Sequence, residues 1–125
     1  VLPHPYKGHI LDEDLLQRID LIECFNSRTS KTSNDKAMKL AEAYHKPVIA
    51  GSDAHFAEEI GACRVLTESA DIRHDILHQR TKLQTSYSPV RLQIQSQMIK
   101  SIKLGSYRKL PAQLVSFVLS LLRHK

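Results

Sequence analysis

The sequence predicts an α/β fold in which parallel strands are covered by helices and the chemistry sits at the carboxyl ends of the strands. Three observations carry that expectation. Short apolar, β-branched runs alternate with stretches of helical periodicity, giving strand, helix, strand, helix, strand over residues 1–50. Chemistry-bearing residues cluster where each strand should end: His4, then Glu23 to Arg28, then Asp53 with His55. A chain of 125 residues that is 42% hydrophobic and 25% charged suits one small domain with a real core, and a second domain of normal size does not fit.

Val1-Leu2-Pro3 reads as a strand end that hands over to His4-Pro5, placing His4 at the mouth of the fold. Lys7 and His9 follow as exposed or supporting groups. Asp12-Glu13-Asp14 before Leu15-Leu16 and Ile19 is an acidic first turn leading into an apolar face, which is how a short helix begins. The next strand is Leu21 to Phe25, and Glu23 within it needs a partner, either a metal site or Arg28. Arg28, in the polar loop that follows, either contacts a substrate phosphate or pairs with Glu23; the residues leave both open.

Ser33 or Asn34 is expected to cap a helix whose apolar positions are Ala37, Met38, Leu40, Ala41 and Tyr44. His45 then adds favourable charge at its carboxyl end. Pro47 to Ala50 reads as a buried strand, with Pro47 at its start, and Gly51-Ser52 ends it. Asp53 and His55 lie two residues apart, a spacing that in extended backbone points both side chains to one side. A carboxylate and an imidazole together suit zinc, manganese or iron(II), because neither ligand is soft. The alternative is a turn in which Asp53 caps the backbone that follows.

Glu58 to Gly61 turns into a further strand, Ala62 to Leu66. The stretch from Ala70 to Gln79 is helical, and His74 with His78, one turn apart but without a third ligand motif, reads as an exposed face. Thr81 to Thr85 is a short edge strand, and Pro89 opens a helix that continues to Gly105. A last helix over residues 111–124 carries Leu114, Val115, Phe117, Val118, Leu121 and Leu122. It is too short to span a bilayer and too apolar to sit free in water. It should dock on the domain itself, on a second copy, or on a membrane surface aided by Arg108, Lys109, Arg123 and Lys125. The chain divides into residues 1–68, the strand-end region, and residues 69–125, mainly helical and basic.

Charge follows the same division. Residues 1–70 carry 8 Lys and Arg against 11 Asp and Glu, whereas residues 71–125 carry 10 against 2. Such asymmetry marks either an anionic partner, nucleic acid included, or a solvated helical face. Cys24 and Cys63 have no Cys-x-x-Cys partner and read as buried, reduced thiols of a cytoplasmic protein. The opening Val1-Leu2-Pro3-His4 has neither the charged leader nor the apolar segment of a signal peptide, and with no initiator methionine it reads as part of a longer product.

Taken in order, His4-Pro5-Tyr6-Lys7, Ile19 to Arg28, Asn34 with Ala37 and Leu40-Ala41, Gly51-Ser52-Asp53-Ala54-His55 and Glu59-Ile60-Gly61 form a series. It resembles the later half of the PHP family, the polymerase and histidinol phosphatase domain, in its small metal-dependent phosphoesterase branch. The likeness covers about the first two-thirds of the chain. The resemblance implies a partial, distorted (β/α) barrel with divalent zinc, manganese or iron ions at the strand ends. It assigns His4, Asp53 and His55 to the metal, gives Asp53 a further catalytic role in orienting the attacking water, and makes Arg28 and Lys7 candidates for substrate binding. Lys7 stands where the family often has Arg, and a lysine offers a mobile point charge in place of a two-pronged grip on phosphate.

In the family a His-x-His motif, a further His and a Glu precede the His-Pro motif, and this sequence holds no counterpart to them. Three ligands are too few for a site of two or three ions, so the expectation is a partial site, in a chain possessing activity only when the missing half is supplied. The substrate implied is a phosphorylated small molecule or a nucleotide. A homodimer formed through exposed sheet edges is a second way to complete the fold. The alternative of a different class is a non-catalytic module whose basic tail and apolar last helix bind nucleic acid or a partner protein.

Overall fold

A computed structural model describes residues 1–122, so Arg123 and Lys125 lie outside the described residues. Helix α1 (Glu13–Arg18) starts where the acidic turn predicts it, with the Asp12 carboxylate accepting from Leu15 N at 2.8 Å. Strand β1 (Ile22–Asn26) follows, then helix α2 (Lys31–Ala43) and strand β2 (Val48–Gly51). The cap of α2 is Ser30, not Ser33 or Asn34: Ser30 Oγ accepts from Ser33 N at 3.1 Å. Asn34 is used elsewhere. It is buried, and its amide grips the backbone of Asn26, accepting from Asn26 N and donating to Asn26 O, each at 3.1 Å. The helix is thereby locked to the end of β1.

Strands β1 and β2 run parallel, pairing Ile22 with Val48 and Asn26 with Gly51, with an irregularity between Glu23 and Phe25. Leu2 bridges to Ile22 in the same sense, Leu2 N donating to Leu21 O and Glu23 N to Leu2 O, both at 2.9 Å. Because Ile22 N donates instead to Pro47 O, Leu2 and β2 flank β1 on opposite sides. The core follows from this order. Leu2, Leu16, Ile22 and Ala41 are buried together, with Leu11, Leu15, Ile19, Leu40, Tyr44 and Val48 packed around them. Strand β2 itself is half-buried along its length rather than buried, being paired to a strand on its β1 side alone.

Beyond β2 the expectation of a parallel barrel gives way. Strand β3 (Cys63–Thr67) pairs antiparallel with β4 (Thr81–Thr85), Cys63 opposite Thr85 and Thr67 opposite Thr81. The described residues thus hold two separate two-stranded sheets and no closed barrel. The reason lies in the connection. Helix α3 (Ile72–Leu77) is only 6 residues long, and Asp75, buried at its foot, accepts from Ser69 N at 2.6 Å and Ser69 Oγ at 3.0 Å. This tight loop reverses the chain beside β3 instead of carrying it across a sheet face, and the pairing spans the division placed at residue 68. His74 and His78 stack on its exposed side with ring centroids 4.1 Å apart.

Helix α4 (Val90–Lys103) is followed by a short helical turn at Tyr107–Lys109 and by α5 (Leu110–Leu122). Helix α5 docks on α4 by a mixed stripe: Gln113 Nε2 donates to the buried Ser101 Oγ at 3.1 Å, Ser120 is buried, and Leu110 and Phe117 are half-buried. Leu114, Val115, Val118, Leu119, Leu121 and Leu122 face outward. Among the described residues no helix is long and apolar enough to cross a membrane.

The two thiols differ in their surroundings. Cys24 is buried in β1, donates to Ile49 O at 3.4 Å, and is pushed up to about 11 by burial. Cys63 is half-buried rather than buried, and burial raises its thiol too. Alkylation by iodoacetamide at mildly alkaline pH should therefore modify Cys63 well before Cys24, read by intact-protein and peptide mass spectrometry. Equal rates at the two sites would show that β1 opens in the folded protein.

Candidate active site at the strand ends

The site grows from one buried carboxylate. Glu23 lies within β1 where its neighbours are apolar, and its Oε2 accepts from His4 N at 2.7 Å and from Asn26 Nδ2 at 3.1 Å. Its Oε1 occupies the space above Gly51 where any side chain's Cβ would stand. Glycine at this strand end therefore makes room for Glu23, and Glu23 in turn holds the His4 backbone. Of the partners expected for Glu23, Arg28 is not the one it uses.

His4 and Asp53 share an uncommon backbone state. Among the described residues the non-glycine positions with positive φ are His4 (27°), His45 (50°), Asp53 (48°) and Gln79 (56°). His45 and Gln79 follow the ends of α2 and α3, where a left-handed residue commonly terminates a helix. His4 and Asp53 have no such excuse, and residues held there tend to mark functional turns. Asp53 thus departs from the extended backbone on which its pairing with His55 was first argued. The two still approach, through a turn: His55 Nδ1 lies 2.7 Å from Asp53 O and 3.9 Å from Asp53 Oδ1. The Asp53 side chain does not cap the backbone that follows. Its Oδ2 accepts from Lys7 Nζ at 3.0 Å, while Lys7 N donates to His4 O at 2.9 Å, so Lys7 ties the first loop to the third.

Beneath this surface lies a second carboxylate, Glu59, whose side chain is 0% exposed. It gathers Arg28 Nη1 at 2.6 and 2.7 Å, His55 N at 2.8 Å, Phe56 N at 3.1 Å and the Ser88 hydroxyl. Burial pushes its carboxyl up, but the Ser88 hydroxyl, the two backbone amides and the Arg28 guanidinium outweigh it and hold the group below the usual carboxylate range. Arg28, itself 6% exposed at its side chain, pairs with Glu59 and not with Glu23, and its Nη2 donates to Ser96 Oγ on α4. Sequence reasoning placed Glu59 in a turn. Its signal was only the Glu-Ile-Gly string, and nothing in that string names a partner 31 residues upstream.

Helix α4 closes the site from above, a contribution that its periodicity did not reveal. A cleft of about 360 Å³ is lined by Lys7, Arg28, His55, Gln93, Ser96, Gln97 and Lys100. Arg28 thus borders a space open to a ligand while its guanidinium is engaged at the back.

As donors, His4, Asp53 and His55 fit a borderline divalent ion one by one. The fit is best for His4, whose Nδ1 is buried without a hydrogen-bond partner, an orphaned nitrogen of the kind a metal ligand leaves. They do not form a closed ligand set: among the described residues no three His, Cys, Asp or Glu side chains stand together as a metal-holding group.

Comparison with known proteins agrees with the motifs. The chain is 39% identical over 71 aligned residues to an uncharacterized protein of Methanocaldococcus jannaschii, an overlap covering 48% of this chain and 30% of that protein. The chain therefore spans about a third of the length of the curated relative it matches. No solved structure matches it. Residues 31–84, from the first turn of α2 through β2 and the Asp53–His55 turn to β4, match the family described as PHP-associated, so this segment carries the PHP kinship that its motifs announce.

Proposed function

We propose that this chain is the C-terminal portion of a metal-dependent phosphoesterase that hydrolyses a phosphate ester of a small molecule or nucleotide with metal-activated water. The observation that supports the reading is the link, through Lys7, between the His4 loop and the Asp53–His55 turn at the carboxyl edge of β1 and β2, beside a cleft lined by cations and amides. Residues 1–68 supply these groups, and residues 69–125 supply the helix that covers them.

In this reading His4, Asp53 and His55 would hold divalent zinc, manganese or iron together with ligands from a longer protein. Bound ions lower the pKa of a coordinated water and offset the charge of the ester. Asp53 orients the attacking water through the carboxylate oxygen that Lys7 leaves free. Lys7, about half exposed at its side chain, draws the phosphate in. Arg28, its Nη1 and Nη2 donors engaged with Glu59 and Ser96, borders the cleft and holds its back wall in place for the substrate.

The test is metal content per chain by elemental mass spectrometry, with p-nitrophenyl phosphate turnover, in the natural protein that carries this sequence and in its Asp53→Ala/His55→Ala variant. Near-stoichiometric metal and turnover should both be lost in a folded variant, turnover by at least about a hundredfold. Unchanged metal and turnover would overturn the reading.

The outward apolar face of α5 favours a second reading, a non-catalytic module that binds a partner protein or nucleic acid through α5 and the basic region. It predicts salt-sensitive oligonucleotide binding that survives the same double substitution.

A further inference from the structure

A second cleft, of about 390 Å³, adjoins the first and shares His55, Ser96 and Lys100 with it. Its remaining walls are Phe56, Ile99, Leu104 and Lys103, so it is apolar where the first is polar. The charges of the first cleft are largely compensated: Lys7 is paired with Asp53 and Arg28 with Glu59. Lys100 is not. It is exposed, and among the described residues no carboxylate lies within ion-pair distance of it. No Asp or Glu lines either cleft. An exposed cation thus stands at the junction of a polar and an apolar space, each within the roughly 300–1,000 Å³ range of ligand pockets.

We propose that these joined clefts bind an aromatic phosphate monoester, its phosphate on Lys100 beside Lys7 and its ring against Phe56, Ile99 and Leu104. This rests on the phosphoesterase reading and adds the class of the organic group and the residues of α4 that select it. The chemistry follows from the lining. A dianionic phosphate is drawn to the uncompensated Lys100, and the side-chain amides of Gln93 and Gln97 offer neutral donors to its oxygens. A flat apolar ring loses water against Phe56 and the two aliphatic side chains, whereas a sugar or glycerol hydroxyl there finds as polar partners only His55, Ser96 and the two lysines at the rim.

The experiment titrates phenyl phosphate, glycerol 3-phosphate and inorganic phosphate into the 125-residue chain with chelator present, followed by amide chemical shifts and calorimetry. Phenyl phosphate should bind at least about tenfold more tightly than the other two, with shifts along α4 and at Phe56. Lys100→Gln should weaken all three anions, and Lys100→Arg should restore most of the loss. Ile99→Asn, a neutral change at a half-exposed position that leaves the core intact, should weaken phenyl phosphate and leave inorganic phosphate nearly unchanged. Equal affinity for the three anions, or binding indifferent to Lys100, overturns the proposal. Because chelator removes metal and no turnover is read, this binding test is independent of the phosphoesterase reading: loss of that reading in the metal and turnover test on the natural protein would leave a ring-selective cleft standing.

Discussion

Glu59→Ala is expected to destabilise the protein by about 3–5 kcal/mol, because it strands the buried Arg28 guanidinium without its counter-charge. The same change releases His55 N, Phe56 N and the Ser88 hydroxyl, so the loop that carries Asp53 and His55 loosens together with the start of α4. Urea denaturation followed by circular dichroism measures the loss, and a change below about 1 kcal/mol would show that water reaches Arg28 and replaces the carboxylate. The pair also has a pH signature. The folded-state pKa of Glu59 is depressed, so its contribution is fully present above the ordinary glutamate value of about 4.3 and is lost as pH falls through the lower folded value. Stability should therefore drop across that acid window in the wild type, and the drop should be shallower in Glu59→Gln.

Gly51→Ala should produce the second large effect, of about 1–3 kcal/mol, and should produce it at a distance. The backbone of Gly51 tolerates alanine; the space does not, since Glu23 Oε1 already fills it. Being the end of a flexible side chain, the carboxylate moves, and His4 N and Asn26 Nδ2 lose their acceptor. The His4 ring signals in proton spectra should shift as a result. A double-mutant cycle settles the cause: with Glu23→Ala already in place, Gly51→Ala should be nearly neutral, and an undiminished penalty there would place the strain in the β1–β2 ladder instead.

These two carboxylates also show where sequence reading reaches and where it stops. Asp12 before an acidic turn, the spacing of Ala37 and Ala41, and the short β-branched run at Val48 announce their elements because each signal lies within one turn or one strand. Ser30 as the cap of α2 escaped notice because Ser33 and Asn34 are equally good caps by type. Asn34 was left for a long-range task that composition does not reveal, gripping Asn26 eight residues earlier. Glu23 was recognisable as a group in need of a partner. Which partner it takes depends on the fold, since His4 N lies 19 residues away and the space above Gly51 exists only once β1 and β2 are paired.

By itself the sequence determined the order of strands and helices, the parallel pairing of the first segments, and the likeness of residues 31–84 to the PHP-associated family. Those are properties of local periodicity and of the handedness of βαβ connections, which nearby residues dictate. Tertiary structure alone decided that β3 folds back on β4 rather than extending a barrel, that Arg28 spends its charge on Glu59, and that α4 brings Ser96 and Lys100 over the strand ends. These pairings join residues distant in the chain. A buried charge takes whichever partner the packed elements deliver to it, and that choice has no imprint in spacing.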